Sequence, residues 1–138
     1  MNKKLKLLVV FSLLVLFLVQ PVSAASKTVK IKVTLDRVEL VENNHVGNEW
    51  YTTAYVNGEE IGEGDTVTVT LKPTESVKLE AYAEEQDKIP DVGTSSASLK
   101  ASSITKKKEK ALTVKVVENR GRYSGNSAKW KFTFTIKK

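Results

Sequence analysis

The chain has 138 residues, with 22 Lys and Arg, 16 Asp and Glu, one His and no Cys. That is the length of one domain, and a hydrophobic content of 41% is enough to build a packed core rather than a disordered tail. The missing thiols exclude a disulfide scaffold, a cysteine zinc site, a thiol nucleophile and a lipid-modified cysteine, and a single imidazole excludes HExxH metalloproteases.

Residues 1–24 read as a cleaved secretory signal peptide. Lys3, Lys4 and Lys6 precede an apolar run, Leu7–Val19, broken only by Ser12. Pro21 ends the run, and Val22-Ser23-Ala24-Ala25 supplies small residues for cleavage after Ala24 or Ala25. The run spans about 20 Å as a helix, short of the roughly 30 Å of a bilayer core. The Lys-rich start and small-residue end look bacterial. The expectation is a secreted, extracellular or cell-wall-associated protein with one mature domain, residues 25–138. Residues 25–99 hold 7 cations and 14 acids, net −7, and residues 100–138 hold 12 cations and 2 acids, net +10. An acidic and a basic surface are therefore expected, either of which steers a partner.

Alternation dominates the rest. Val29, Ile31, Val33 and Leu35 recur at every second position, which predicts a strand with one wet face. Trp50–Val56 is aromatic and β-branched and runs into Asn57-Gly58, a strong hairpin signal, with Glu59–Ile61 as the return strand. After the turn Gly62–Asp65, Thr66–Leu71 alternates again; the turn Lys72–Glu75 leads to Ser76–Ala83. Ser95–Ala101, Ala111–Val117 and Ala128–Ile136 complete the set, the last placing Trp130, Phe132, Phe134 and Ile136 in phase. No helical period longer than a turn appears. Eight short strands joined by Gly, Pro and Asn turns predict an all-β antiparallel two-sheet sandwich, with an up-and-down barrel as the alternative. The run Lys106–Lys110 reads as a solvated turn that blunts a sheet edge.

Counting strand reversals puts Val41–Glu49, Gly62–Asp65, Glu84–Gly93 and Asn119–Ser127 at one end. That end gathers Glu42, Asn43, Asn44, His45, Asn48 and Glu49 from one loop and Glu84, Glu85, Gln86, Asp87 and Asp91 from another. Such carboxylate and amide oxygens suit calcium, which takes six to eight oxygen ligands, better than zinc or copper. The loop Glu118–Asn126 adds Arg120, Arg122 and Tyr123: guanidinium forks grip phosphate or carboxylate, and a tyrosine at a loop tip inserts into an interface. The alternative is that both arginines pair with the acids of Glu84–Asp87 and replace calcium as the neutralising cation. His45, alone in a polar loop, reads as solvated. Trp130 reads as core, and Trp50 borders the loop end as a contact residue.

Val77–Gly93, an aromatic-containing strand followed by acids and then an acid shortly before Gly93, resembles the strand and acidic loop of C2 domains. Asn43–Tyr51 is similar to the first C2 loop. The resemblance covers roughly residues 29–99. It implies an eight-stranded sandwich that binds calcium at one loop end and docks on membranes or proteins. Carried over position by position, Glu49, Asp87 and Asp91 match best; Asn43 or Asn44 stands where the family has Asp, and Gln86 with Glu84 or Glu85 roughly matches its acid pair.

No GxSxG elbow is present, and a domain this small offers little cleft for a carboxylate pair, so a small hydrolase is the third-ranked reading and no enzyme is expected. The leading expectation is a monomeric binding module that holds calcium through Asn43, Asn44, Glu49, Glu84, Glu85, Asp87 and Asp91, and a partner through Trp50, Arg120, Arg122 and Tyr123. The alternative is a metal-free interaction, antagonist, immunity or cell-wall-associated protein. The partner is a protein, a membrane surface or an anionic cell-wall polymer, not nucleic acid.

Overall fold

Wherever apolar and polar residues alternate, the backbone is extended. The computed structural model describes residues 25–138; residues 1–24, read above as a signal peptide, lie outside them. In chain order the strands are β1 (Val29–Asn43), β2 (Trp50–Val56), β3 (Glu59–Ile61), β4 (Thr66–Leu71), β5 (Ser76–Glu85), β6 (Asp91–Lys100), β7 (Lys108–Val117) and β8 (Ser127–Lys137). A single 3-10 turn, Ala101–Ser103, precedes β7. The strands form two four-stranded antiparallel sheets, ordered β4-β1-β8-β7 and β3-β2-β5-β6. The fold is an all-β two-sheet sandwich of eight strands.

The inward phase of each strand makes the core. Ile31, Val33 and Leu35 of β1, Val77 and Leu79 of β5, Val114 and Val116 of β7, and Phe132, Phe134 and Ile136 of β8 are buried. Each such side chain contributes about 1.5–3 kcal/mol through removal from water. Near the loop end, Trp50 and Trp130 meet edge to face across the sheets, with centroids 5.6 Å apart.

The strand boundaries differ from the expectation where alternation is interrupted. β1 runs on to Asn43 rather than stopping at Leu35, because register shifts between Leu35 and Arg37 and between Leu40 and Glu42 absorb two extra residues. Each bulge resets the alternation, so Val38 and Leu40 stay opposite Phe132 and Trp130 although they are out of phase with Leu35. β5 reaches Glu85 and β6 begins at Asp91, so the acidic loop shrinks to residues 86–90. Gly62–Asp65 does not join the loop end. It lies beside the middle of β1, where Gly64 N donates to Leu35 O (2.7 Å), Leu35 N to Asp65 O (3.1 Å) and Val38 N to Glu63 Oε2 (3.1 Å). There the chain crosses from the second sheet to the first.

The sequence's charge division becomes a division between layers. The strands of the first sheet carry nine Lys and Arg against four acids, net +5; those of the second carry two Lys against six acids, net −4.

Candidate functional site

The loop end is built by side chains that fold the loops themselves. Asn43 Oδ1 accepts from Val46 N (3.0 Å), and its Nδ2 donates to Gly47 O (2.7 Å), which also accepts from Trp50 Nε1 (3.2 Å). These bonds pull the loop after β1 into a tight turn, with His45 at φ +57°. Asn44 Oδ1 meets His45 Nδ1 at 3.2 Å, and the His45 ring stacks on Tyr123 from the loop after β7, centroids 5.0 Å apart. The Arg122 guanidinium lies 5.8 Å from the centre of that Tyr123 ring.

Glu85 is 3% exposed. Its Oε2 accepts from Asp87 N at 3.1 Å, and its carboxylate packs on Gly47 so closely that a methyl group there would sit 2.1 Å from Oε1. Burial raises the Glu85 pKa, and the charges of Asp87 and Glu118 raise it further against opposing backbone hydrogen bonds from Asp87 and Glu49. Asp91 is also buried, and its two oxygens accept from the side-chain amide (2.7 Å) and backbone N–H (3.4 Å) of Asn119. Asp87 Oδ1 accepts from Ile89 N (2.7 Å). Asn43, Gly47, Glu85, Asp87 and Glu118 line one open groove of about 550 Å³.

The other sequence candidates lie elsewhere. Glu84 alternates with Glu85 and so points to the outer face of the second sheet, where Tyr82 Oη donates to it. Glu49 is exposed, and its backbone oxygen accepts from Gln86 N (2.6 Å). Arg120 and Arg122 form no ion pair with the acids among the described residues, where the only ion pairs are Arg37–Glu39 and Lys129–Glu42. Trp50 is half buried. Among the described residues no group of three or more His, Asp and Glu side chains is arranged to hold a metal ion.

A feature that residue-by-residue reading passed over lies on the outer face of the first sheet. The outward positions of β1, β7 and β8 there carry Lys30, Lys32, Arg37, Lys115, Lys129, Lys131 and Lys137 against Asp36, Glu39, Glu42 and Glu109, interleaved with Thr34, Thr113, Thr133 and Thr135 and flanked by Thr66, Thr68 and Thr70 of β4. Lys32 stands directly opposite Lys137, and Lys115 opposite Lys129. Like charges opposed across a ladder are destabilising. Glu42 neutralises Lys129 at 2.6 Å; Lys30, Lys32, Lys115 and Lys137 are exposed and make no ion pair among the described residues. Thr34 and Thr66 hydroxyls hydrogen-bond at 2.7 Å, tying the face together across β1 and β4. The alternating lysines were the available signal; adjacency of β1, β8 and β7 turns them into one surface.

No family model matches the chain, and neither does any curated protein.

Proposed function

We propose that the chain is an exported, non-enzymatic binding module that holds an anionic polymer on the lysine–threonine face of its first sheet. The observation that carries this reading is the opposed Lys32–Lys137 pair, a locally unfavourable arrangement within a sheet of net charge +5. A polymer bearing phosphate or carboxylate groups neutralises such a row, and releases its counterions in doing so. Strand geometry spaces these ammonium groups about 5 Å across the sheet and about 7 Å along it, a pitch that a flexible polyanion follows. The exposed hydroxyls of Thr68, Thr70 and Thr113 beside the lysines add hydrogen-bond donors. Retention on immobilised polyphosphate tests the reading. The Lys30→Thr/Lys32→Thr/Lys115→Thr/Lys137→Thr variant loses retention and keeps its melting midpoint. Undiminished retention refutes the proposal.

A second reading, calcium at the loop end, draws support from the convergence of Glu85, Asp87 and Glu118 on one groove and from the C2-like order of loop residues. Weighing against it, Asp91 and Asp87 already bond to Asn119 and the Ile89 N–H. Melting in EDTA and then in millimolar calcium separates the two: a calcium-dependent rise of several degrees supports the metal.

A further inference from the structure

The outer face of the second sheet differs from that of the first. Register places Tyr55 beside Glu80 and Glu80 beside Ser96, with Tyr82 and Thr94 paired in the next row. These residues border a groove of about 430 Å³. Two neighbouring carboxylates hold the aromatic layer rigid. Glu60 accepts from Thr53 Oγ1 (2.7 Å) and Tyr51 Oη (3.2 Å), and Glu84 accepts from Tyr82 Oη. Tyr51 and Tyr82 meet edge to face at 6.2 Å. Tyr82 is held in its neutral form, its pKa pushed up to about 12 chiefly by the bond to Glu84. Glu80, by contrast, accepts no side-chain hydrogen bond and forms no ion pair among the described residues. Its carboxylate is exposed at the rim of a groove walled by two aromatic rings.

We infer that this groove is a binding site for the lysine or arginine side chain of a basic peptide partner. Aromatic rings attract a cation through their negative faces, and the interaction strengthens when the ring is fixed beside a carboxylate and partly shielded from water. The outer face is net negative, Glu60, Glu80 and Glu84 against Lys78 and Lys100, and Glu60 and Glu80 flank Tyr55 in one row with Glu84 two rows on. Ser96 and Thr94 hydroxyls at the far wall accept the remaining N–H groups of an ammonium or guanidinium. The site lies on the layer opposite the lysine face and does not depend on polymer binding there, so the domain is two-sided.

The test titrates fluorescein-labelled tetralysine and its fully acetylated counterpart into the 25–138 domain, followed by fluorescence anisotropy and amide NMR. Tetralysine binds, the acetylated peptide binds at least tenfold more weakly, and amide shifts centre on Tyr55, Glu80 and Ser96. Glu80→Gln and Tyr55→Leu each weaken tetralysine at least fivefold without moving the melting midpoint, whereas Glu59→Gln, at the far edge of the same sheet, does not. Equal binding of the acetylated peptide, equal binding to Glu80→Gln, or no binding at 5 mM overturns the inference. So does self-association that disappears when Lys32 and Lys137 are replaced by Thr, which would make a second copy the occupant.

Discussion

At Gly93 the backbone of β6 packs closely on β7 of the other sheet, and replacing it with alanine measures how tightly the sandwich is closed there. It sits in β6 and faces β7 of the other sheet. A methyl group built on it would lie 2.3 Å from the Lys115 carbonyl oxygen and 2.9 Å from both the Lys115 carbonyl carbon and Val114 Cγ1. Two of these three atoms are backbone, so the strain cannot be relieved by rotating a side chain; β6 and β7 must part by about 1 Å. Overpacking of this kind costs typically about 1–3 kcal/mol, and rigid backbone on both sides puts Gly93→Ala near the top of that range. For a domain of this size each kcal/mol lowers the midpoint by about 3–6 °C, so the expected fall is roughly 8–18 °C. Gly58→Ala is the contrast: nothing lies within 4 Å of the added methyl, and the cost is only that of φ +84° for a side-chain residue, about 1 kcal/mol. Thermal melts followed by circular dichroism compare the two. A midpoint for Gly93→Ala within 2 °C of the parent would mean that β6 and β7 are not in contact as described.

Three further outcomes follow from the same geometry. Because the Glu85 pKa is raised by burial, its contribution to stability is full below the ordinary carboxylate pKa and is lost as pH rises through the folded value; Glu85→Gln therefore raises the melting midpoint at pH 7, and the gain vanishes by pH 4 in a pH series of melts. Tyr82 titrates near 12 when folded against 10.0 when unfolded, so it stabilises fully below pH 10 and loses that effect between pH 10 and about 12; Tyr82→Phe flattens stability in that window, as urea titrations at stepped pH will read. Asn119→Ala strips the buried Asp91 carboxylate of both its strongest partner and the anchor of the loop after β7, and costs about 1–3 kcal/mol in urea unfolding, whereas Asn48→Ala, an exposed residue of the neighbouring loop, costs under about 0.5 kcal/mol.

Most of the eight strands are legible in the sequence because one face turns inward, β3 being read instead from the Asn57-Gly58 hairpin before it, and a period of two leaves no other reading for Val29–Leu35 or Ala128–Ile136. What alternation cannot reveal is where it breaks. The bulges at Asp36 and Val41 carry no residue signature, so β1 reads eight residues short and the loop after it reads too long. The same limit misplaces Gly62–Asp65: a three-residue strand such as β3 fixes a direction but not the sheet crossing that follows it. At the loop end the right residue types are visible in sequence, but their partners are not. Glu84 and Glu85 are neighbours in the chain and lie on opposite faces of β5, and Asp91, which reads as a loop acid, begins β6 and bonds to Asn119. The lysine face is the reverse case. Its members are plain in the sequence as wet-phase residues, and only the order β4-β1-β8-β7 brings them onto one surface.

The salt dependence of polyanion binding tests the account most directly. Affinity of the 25–138 domain for polyphosphate is measured from 50 to 300 mM NaCl, for the parent and for the variant with Lys30, Lys32, Lys115 and Lys137 replaced by Thr. Each ammonium that neutralises a bound phosphate contributes about 0.7–0.9 to the slope of log affinity against log salt. In the variant the slope falls by roughly 3 while the melting midpoint stays unchanged or rises as the opposed lysines are removed. A slope that is the same in both proteins, or a parent domain that does not bind polyphosphate at 50 mM NaCl, would contradict it.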